Sequence, residues 1–235
     1  MSDDASLRAD VAQWNGAPRV DAVPEHGYDT RTISVWDEHT RRLVRVAAVI
    51  CIADEPELRT AFADVIDGVD TVQVEEVILQ SYLFAGIPRA LNAMREWRRV
   101  SGVAAPRRDD AETQDLAAWR ARGETVCALV YGKFYERLRH NVAELHPALD
   151  EWMIVDGYGK VLGRPGLDLR RRELCAVAAC AVLRQEPQLH SHLHGALHVG
   201  AAQSDVDATL DEVLPYCDPA EAERARRLWV RVRRR

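Results

Sequence analysis

From about Asp37 onward, apolar residues recur every three or four positions, the spacing of helices that bury one face. Three such segments come first: RRLVRVAAVICIAD, then EPELRTAFADVIDGV ending near Gly68, then VEEVILQSYLFAGIPRALNAMREW. The periodicity lapses over residues 99–125, where Gly102, Pro106 and the charged run RRDDAETQD read as a linker or solvated loop. It restarts in VCALVYGKFYERLRHNVAELHPALDEW, residues 126–152. There Tyr131, Phe134, Tyr135, Leu138 and Trp152 form an aromatic wall beside the C-terminal helices, or simply fill core. The expected fold is all-α, with roughly ten helices.

The run GYGKVLGRPGLDLRRRELCAVAACAVLRQEPQLHSHLHGALHVG, residues 157–200, is the chemically distinctive part. After the turn at Arg164, Pro165 and Gly166, Asp168 is placed to cap a helix, because a short acidic side chain accepts hydrogen bonds from first-turn N–H groups. Leu174, Val177, Ala178, Ala181 and Val182 then continue at helical spacing. Pro187 breaks that helix and suits the first turn of the next, for which Gly200 is the stop. This second helix carries four histidines. His190, His194 and His198 are four apart and share a face, whereas His192 is turned roughly 160–200° from His190 and His194 at 3.6 residues per turn.

The chain also repeats itself. Leu43, Ala47, Glu55, Pro56 and Leu58 correspond to Leu174, Ala178, Glu186, Pro187 and Leu189 at a constant offset of 131 (187 − 56). The position matching His192 is Ala61, so a degenerate half is joined to a chemically equipped one. The expected organisation is an N-terminal arm over 1–30, a first unit over 31–100, a linker over 101–125 and a second unit over 126–235. A helical hairpin plus one helix cannot close a core alone, so the two units are expected to pack together around a pseudo-twofold axis.

Charge and cysteine usage narrow the setting. A formal net charge of −6 gives no general attraction to nucleic acid. The basic tail, Arg224, Arg226, Arg227, Arg231 and Arg233 to Arg235, reads as a solvated helix end or an oligomer contact. Residues 1–30 lack the apolar core of a signal peptide, and no segment approaches a membrane span in length. Five cysteines without a CxxC pair fit reduced thiols in the cytoplasm.

The run GKVLGRPGLD, followed by a helix and then Q-L-x-x-H and G-A-L-x-x-G, resembles the second half of a carboxymuconolactone decarboxylase domain, a family shared with the AhpD alkylhydroperoxidases. The likeness covers about Leu138 to Tyr216. It implies an AhpD-like helical fold and a homo-oligomer, a trimer or hexamer, which the apolar stretches VEEVILQSYLFAGI and RRLWVRV also suggest. AhpD-type peroxidases place a CxxC pair seven and four residues before a histidine. Counting back from His192 gives Gln185 and Gln188, although Glu173 falls at the family's relay glutamate. Without a thiolate and its resolving partner a thiol peroxidase cycle cannot run.

The decarboxylase side of the resemblance makes His192 the acid–base group; Glu173, where family decarboxylases carry a different residue, and Gln188 are the other catalytic candidates. Decarboxylating a carboxylated lactone leaves an enolate-like anion, which needs a carboxylate anchor, an oxyanion partner and a proton donor to carbon. Arg164, Arg172 and His190 are the substrate-binding candidates. Lys160 stands where family decarboxylases carry a glutamate. The expectation is a lactone-handling lyase with no cofactor and no resident metal. The alternatives are a non-catalytic all-α scaffold and, third, a metal held by the His190, His194 and His198 stripe.

Overall fold

The computed structural model describes residues 32–109 and 115–234. The expected arm over 1–30 lies outside the described residues. Within them every regular element is a helix, as the apolar spacing requires: α1 (Glu38–Ile52), α2 (Glu55–Ile66), α3 (Thr71–Ser101), α4 (Leu116–Tyr131), α5 (Tyr135–Leu145), α6 (Pro147–Trp152), a π-helix (Met153–Leu162), α7 (Leu169–Val182), α8 (Glu186–His198), α9 (Gln203–Val213) and α10 (Pro219–Val232). No helix among the described residues is long and apolar enough to cross a membrane.

Aspartates start most of these helices. Asp37, Asp54, Asp70, Asp115, Asp168 and Asp218 each accept a hydrogen bond from a backbone N–H of the first turn they precede. Inside α3 the backbone kinks at Gly86, whose φ of 80° lies in the left-handed region, two residues before Pro88. The helix α4 begins within the 101–125 stretch read as a linker, because Asp115 caps it.

The offset seen in sequence recurs in the helix boundaries. It relates cap Asp37 of α1 to cap Asp168 of α7, and cap residue Asp54 of α2 to cap residue Gln185 of α8. It continues to Pro88, just past the kink of α3, and Pro219, in the first turn of α10. Helices α1 and α7 pack against each other at the centre, and Arg171 Nε donates to Thr40 Oγ1 at 2.9 Å, two positions that the same offset relates. Around this pair lies the larger core, with contributions from α2, α3, α8, α9 and α10. Contrary to the sequence expectation for RRLWVRV, its Leu228, Trp229 and Val232 are buried inside the chain's own core. By contrast α3 leaves Leu79, Tyr82, Ile87 and Leu91 exposed.

A smaller core forms where α4 and the π-helix lie side by side, from Val126, Cys127, Val130, Ile154, Tyr158, Leu162, Leu169 and Val199. Two glycines set the closeness of that contact. A Cβ on Gly123 would stand 2.0 Å from the Ile154 carbonyl oxygen, and one on Gly159 would stand 2.1 Å from that of Trp119. Because the obstacle is backbone, neither clash can be relieved by a side-chain rotation. Gly159→Ala is therefore expected to push the two helices apart and cost about 2 kcal/mol or more in denaturant unfolding. An unchanged midpoint would show that this contact does not hold the smaller core.

Of the proposed aromatic wall, Tyr131, Tyr135 and Leu138 pack onto the smaller core, whereas Phe134 and Trp152 are exposed.

Candidate active site

The RPGLD turn sets the entry angle of α7. Gly166 takes φ 92°, and a Cβ there would press on Val72 and Glu76 at 3.0–3.1 Å, so the turn is seated tightly on α3. Arg164 extends the same clasp, donating from Nε to Glu76 and from both terminal nitrogens to Asp109 at 2.8 and 3.1 Å. Arg172 is buried and wholly engaged. Its Nη2 donates to Glu76 Oε2 at 2.8 Å and to the Arg164 carbonyl at 2.9 Å, and its Nε donates to the Leu167 carbonyl at 3.2 Å. Gln80 completes the group by donating to the Arg172 carbonyl at 2.8 Å. Both arginines offered by sequence as carboxylate anchors are therefore occupied in holding α7 to α3.

One residue beyond Arg172, Glu173 points the other way, into the space between α7 and α8. It is fully buried, and its Oε2 lies 2.9 Å from His192 Nδ1. Its other oxygen, Oε1, is buried and has no hydrogen-bond partner among the described residues. Gly195 makes the approach possible, since a Cβ there would stand 2.5 Å from Glu173 Oε2 and 2.7 Å from Val130 Cγ1. The pairing also sets the chemistry of the imidazole. With Nδ1–H donated to the carboxylate, Nε2 is the nitrogen that exchanges protons, and an imidazolium formed there is stabilised by the carboxylate behind it.

The surroundings of the pair come from three elements. From α3, the Phe84 ring meets His192 edge-on at 5.7 Å between centroids. From α4, Tyr131 places its ring 6.1 Å from that of Tyr158 on the π-helix. Burial pushes the Tyr131 phenol up to about 12 and raises that of Tyr158 as well, so both hydroxyls stay protonated at neutral pH.

The two kinds of histidine read from spacing are separated as expected. His192 is buried, whereas His190 and His198 are exposed and His194 lies between them, with ring centroids 4.8 Å apart for His190 and His194 and 6.2 Å for His194 and His198. His198 Nδ1 bonds the Val130 carbonyl at 2.7 Å. Among the described residues no three His, Cys, Asp or Glu side chains are grouped as metal ligands. Gln188 is exposed one turn before His192, and His190 is on the outer stripe, so neither is gathered to the Glu173 carboxylate. Phe84 and Tyr158 were not picked out by sequence reasoning. Only Tyr158, between two glycines at the head of the 157–200 run, left a trace there.

The thiols offer no alternative nucleophile. Burial pushes Cys51 and Cys175 up to about 12 and raises Cys127, Cys180 and Cys217 as well. The protein is expected to turn over no peroxide with a dithiol donor, and Cys175→Ala with Cys180→Ala to leave activity intact. A peroxidase rate abolished by those changes would reverse this assignment.

Residues 151–231, which contain both members of the pair, match the profile of the carboxymuconolactone decarboxylase family. Two curated relatives are similar to the chain. Peroxisomal protein 2 of Saccharomyces cerevisiae is 26% identical over 165 residues, 59% of this chain and 58% of the relative. Peroxisomal protein 2 of Schizosaccharomyces pombe is 28% identical over 138 residues, 57% of this chain and 63% of the relative. The chain thus spans less than two thirds of the length of either.

Proposed function

Residues 151–231 form a carboxymuconolactone decarboxylase family domain on an all-α, AhpD-like scaffold, and from that premise we propose that the chain is a cofactor-free acid–base enzyme acting on a small lactone or related carbonyl acid. The buried Glu173–His192 pair carries this reading. His192 Nε2 removes or delivers the proton at the carbon beside a carbonyl, and Glu173 holds the imidazole in the required tautomer. The decarboxylating version of the reaction breaks the bond to the carboxylate carbon, leaves its electron pair as an enolate, and returns a proton from His192 to that carbon.

The test is a panel of small carboxylated lactones and their non-carboxylated counterparts. It is followed by carbon dioxide release and by proton-detected exchange of the α-carbon hydrogen in deuterated buffer. Exchange or release that the wild type catalyses and His192→Gln does not is the expected result. Rates equal to buffer across the panel would favour the non-catalytic scaffold.

The helix boundaries repeated at the offset of 131 support reading the chain as a duplicated unit, with Arg42 and Ala61 standing where Glu173 and His192 stand in the second copy. A homo-oligomer, trimer or hexamer, belongs to the same proposal, with the exposed Leu79, Tyr82, Ile87 and Leu91 of α3 as its apolar face. Sedimentation of only a monomer of 26.4 kDa at micromolar concentration would remove it. A cytoplasmic location is also part of the reading, and imaging of the tagged chain in its own cell tests it.

A further inference from the structure

The chain enters the described residues at a fixed point. The Ile33 N–H donates to the Gly200 carbonyl at 3.2 Å, Ser34 Oγ donates to Asp205 Oδ1 at 2.6 Å, and the Val35 N–H donates to Asp205 Oδ2 at 3.0 Å. Whatever precedes residue 32 therefore starts from the C-terminal end of α8, beside His198. From there the ridge of side chains at intervals of four runs back along α8 through His198, His194 and His190 to Glu186, with His198 and His190 exposed. Glu186 edges an open groove of about 550 Å³, faced from α10 by Glu223 and by Arg224, Arg226, Arg227 and Arg231. Four arginines against two carboxylates make this groove a positive island on a chain of net charge −6. Arg227 pairs with Glu223 and Arg231 with Glu186 on the open surface, where such pairs hold weakly and exchange partners at little cost.

We propose that residues 1–31 of the same chain dock along this ridge and into the arginine groove. Reach and charge select that occupant. The ridge from His198 to Glu186 is about 18 Å of helix, which an extended chain covers in about six residues. Counting back from Ile33, residues 27–32 run beside the histidines, and Glu25 and Asp21 arrive at the arginines. Asp29 falls beside the imidazoles, whose N–H groups donate to a carboxylate. Val23 and Pro24, between the two carboxylates at the groove, meet Val230 and the aliphatic stems of the arginines. Residues 1–31 hold six carboxylates, Asp3, Asp4, Asp10, Asp21, Glu25 and Asp29, against Arg8, Arg19 and Arg31. No arginine or lysine interrupts residues 20–30, so the part that reaches the groove carries the opposite charge to it. The arm of a second copy would meet the same groove without the tether at Ile33, which holds the arm of the same chain at an effective concentration on the order of millimolar. The inference is independent of the Glu173–His192 pair, because His192 faces away from the ridge that the arm covers.

The test is photo-cross-linking of the full chain carrying Val23→p-benzoylphenylalanine, whose benzophenone inserts into neighbouring C–H bonds on irradiation. Mixing isotopically light and heavy protein lets mass spectrometry separate links within a chain from links between copies. The expected result is links within one chain to α8 and α10. Asp21→Lys with Glu25→Lys, or Arg227→Glu with Arg231→Glu, should lower their yield about fivefold, the scale of two exposed ion pairs. All four changes together should restore it, because the charges are then exchanged and not lost. Salt at about 0.5 M should also lower the yield. Far-ultraviolet dichroism confirms that each variant is folded. Links scattered over other helices, no links to protein at all, or a yield that charge reversal leaves unchanged overturns the proposal. Links to α8 and α10 found only between copies overturn it too, and make the arm of a second copy the occupant.

Discussion

His192→Gln is expected to lower turnover of a substrate identified by the panel by ~10²–10⁴-fold while leaving the helical fold in place, the range usual for loss of a general acid–base group. Glutamine approximates the imidazole's size and can still accept or donate toward Glu173, so the carboxylate is not abandoned in the core. Glu173→Gln should cost about 10²-fold or more, because the carboxylate both orients the ring and stabilises the imidazolium. The double replacement should be hardly worse than the worse single one, since the two act as a unit. The same change at His198, on the outer stripe, should cost little. Full turnover by His192→Gln, or its unfolding in dichroism, would hand the site back to the scaffold reading.

Arg172→Ala is expected to give the largest loss of stability, about 3–5 kcal/mol in urea unfolding. The side chain is 1% exposed, and its removal leaves a cavity, a weakened partner for the buried Glu76, and the carbonyls of Arg164, Pro165 and Leu167 short of a donor. Arg164 still reaches Glu76, which places the loss toward the lower end of that range. Replacing both partners with apolar residues, Arg172→Met with Glu76→Leu, should recover much of the loss, because no buried charge is then left without its counter-ion. A loss below about 1 kcal/mol for Arg172→Ala would mean that the clasp between α3 and α7 is not what holds α7 in place.

The two arginines show why sequence reasoning assigned them to substrate. Their types and their place in the RPGLD turn fit carboxylate binding, and the reading of Arg170, Arg171 and Arg172 as a run in which at most one points inward is matched by Arg172 alone being buried. What decided their role was Glu76, 88 and 96 residues away in the chain, and a pairing over that separation leaves no local signal. Gln188 was placed beside His192 by helical spacing, yet spacing fixes only a direction around α8. Whether that direction meets a neighbour or solvent depends on which helix packs there.

Periodicity and local stop and start signals were enough for most of the helices, α4 excepted, which begins ahead of the periodic restart at 126. The aspartate caps, the prolines in first turns and the glycines at stops are satisfied within a few residues, so their positions follow from local hydrogen bonding and backbone sterics. The same local logic separated His192 from the stripe of His190, His194 and His198, and the offset of 131 came from comparing the chain with itself. The site needed the tertiary structure. Glu173 and His192 are 19 residues apart on different helices, and Tyr131, Tyr158 and Phe84 come from three further elements. Their convergence depends on the close backbone approaches at Gly123 and Gly159 and on the room that Gly195 leaves for the Glu173 and Val130 side chains, and a glycine in a sequence does not say what approaches it.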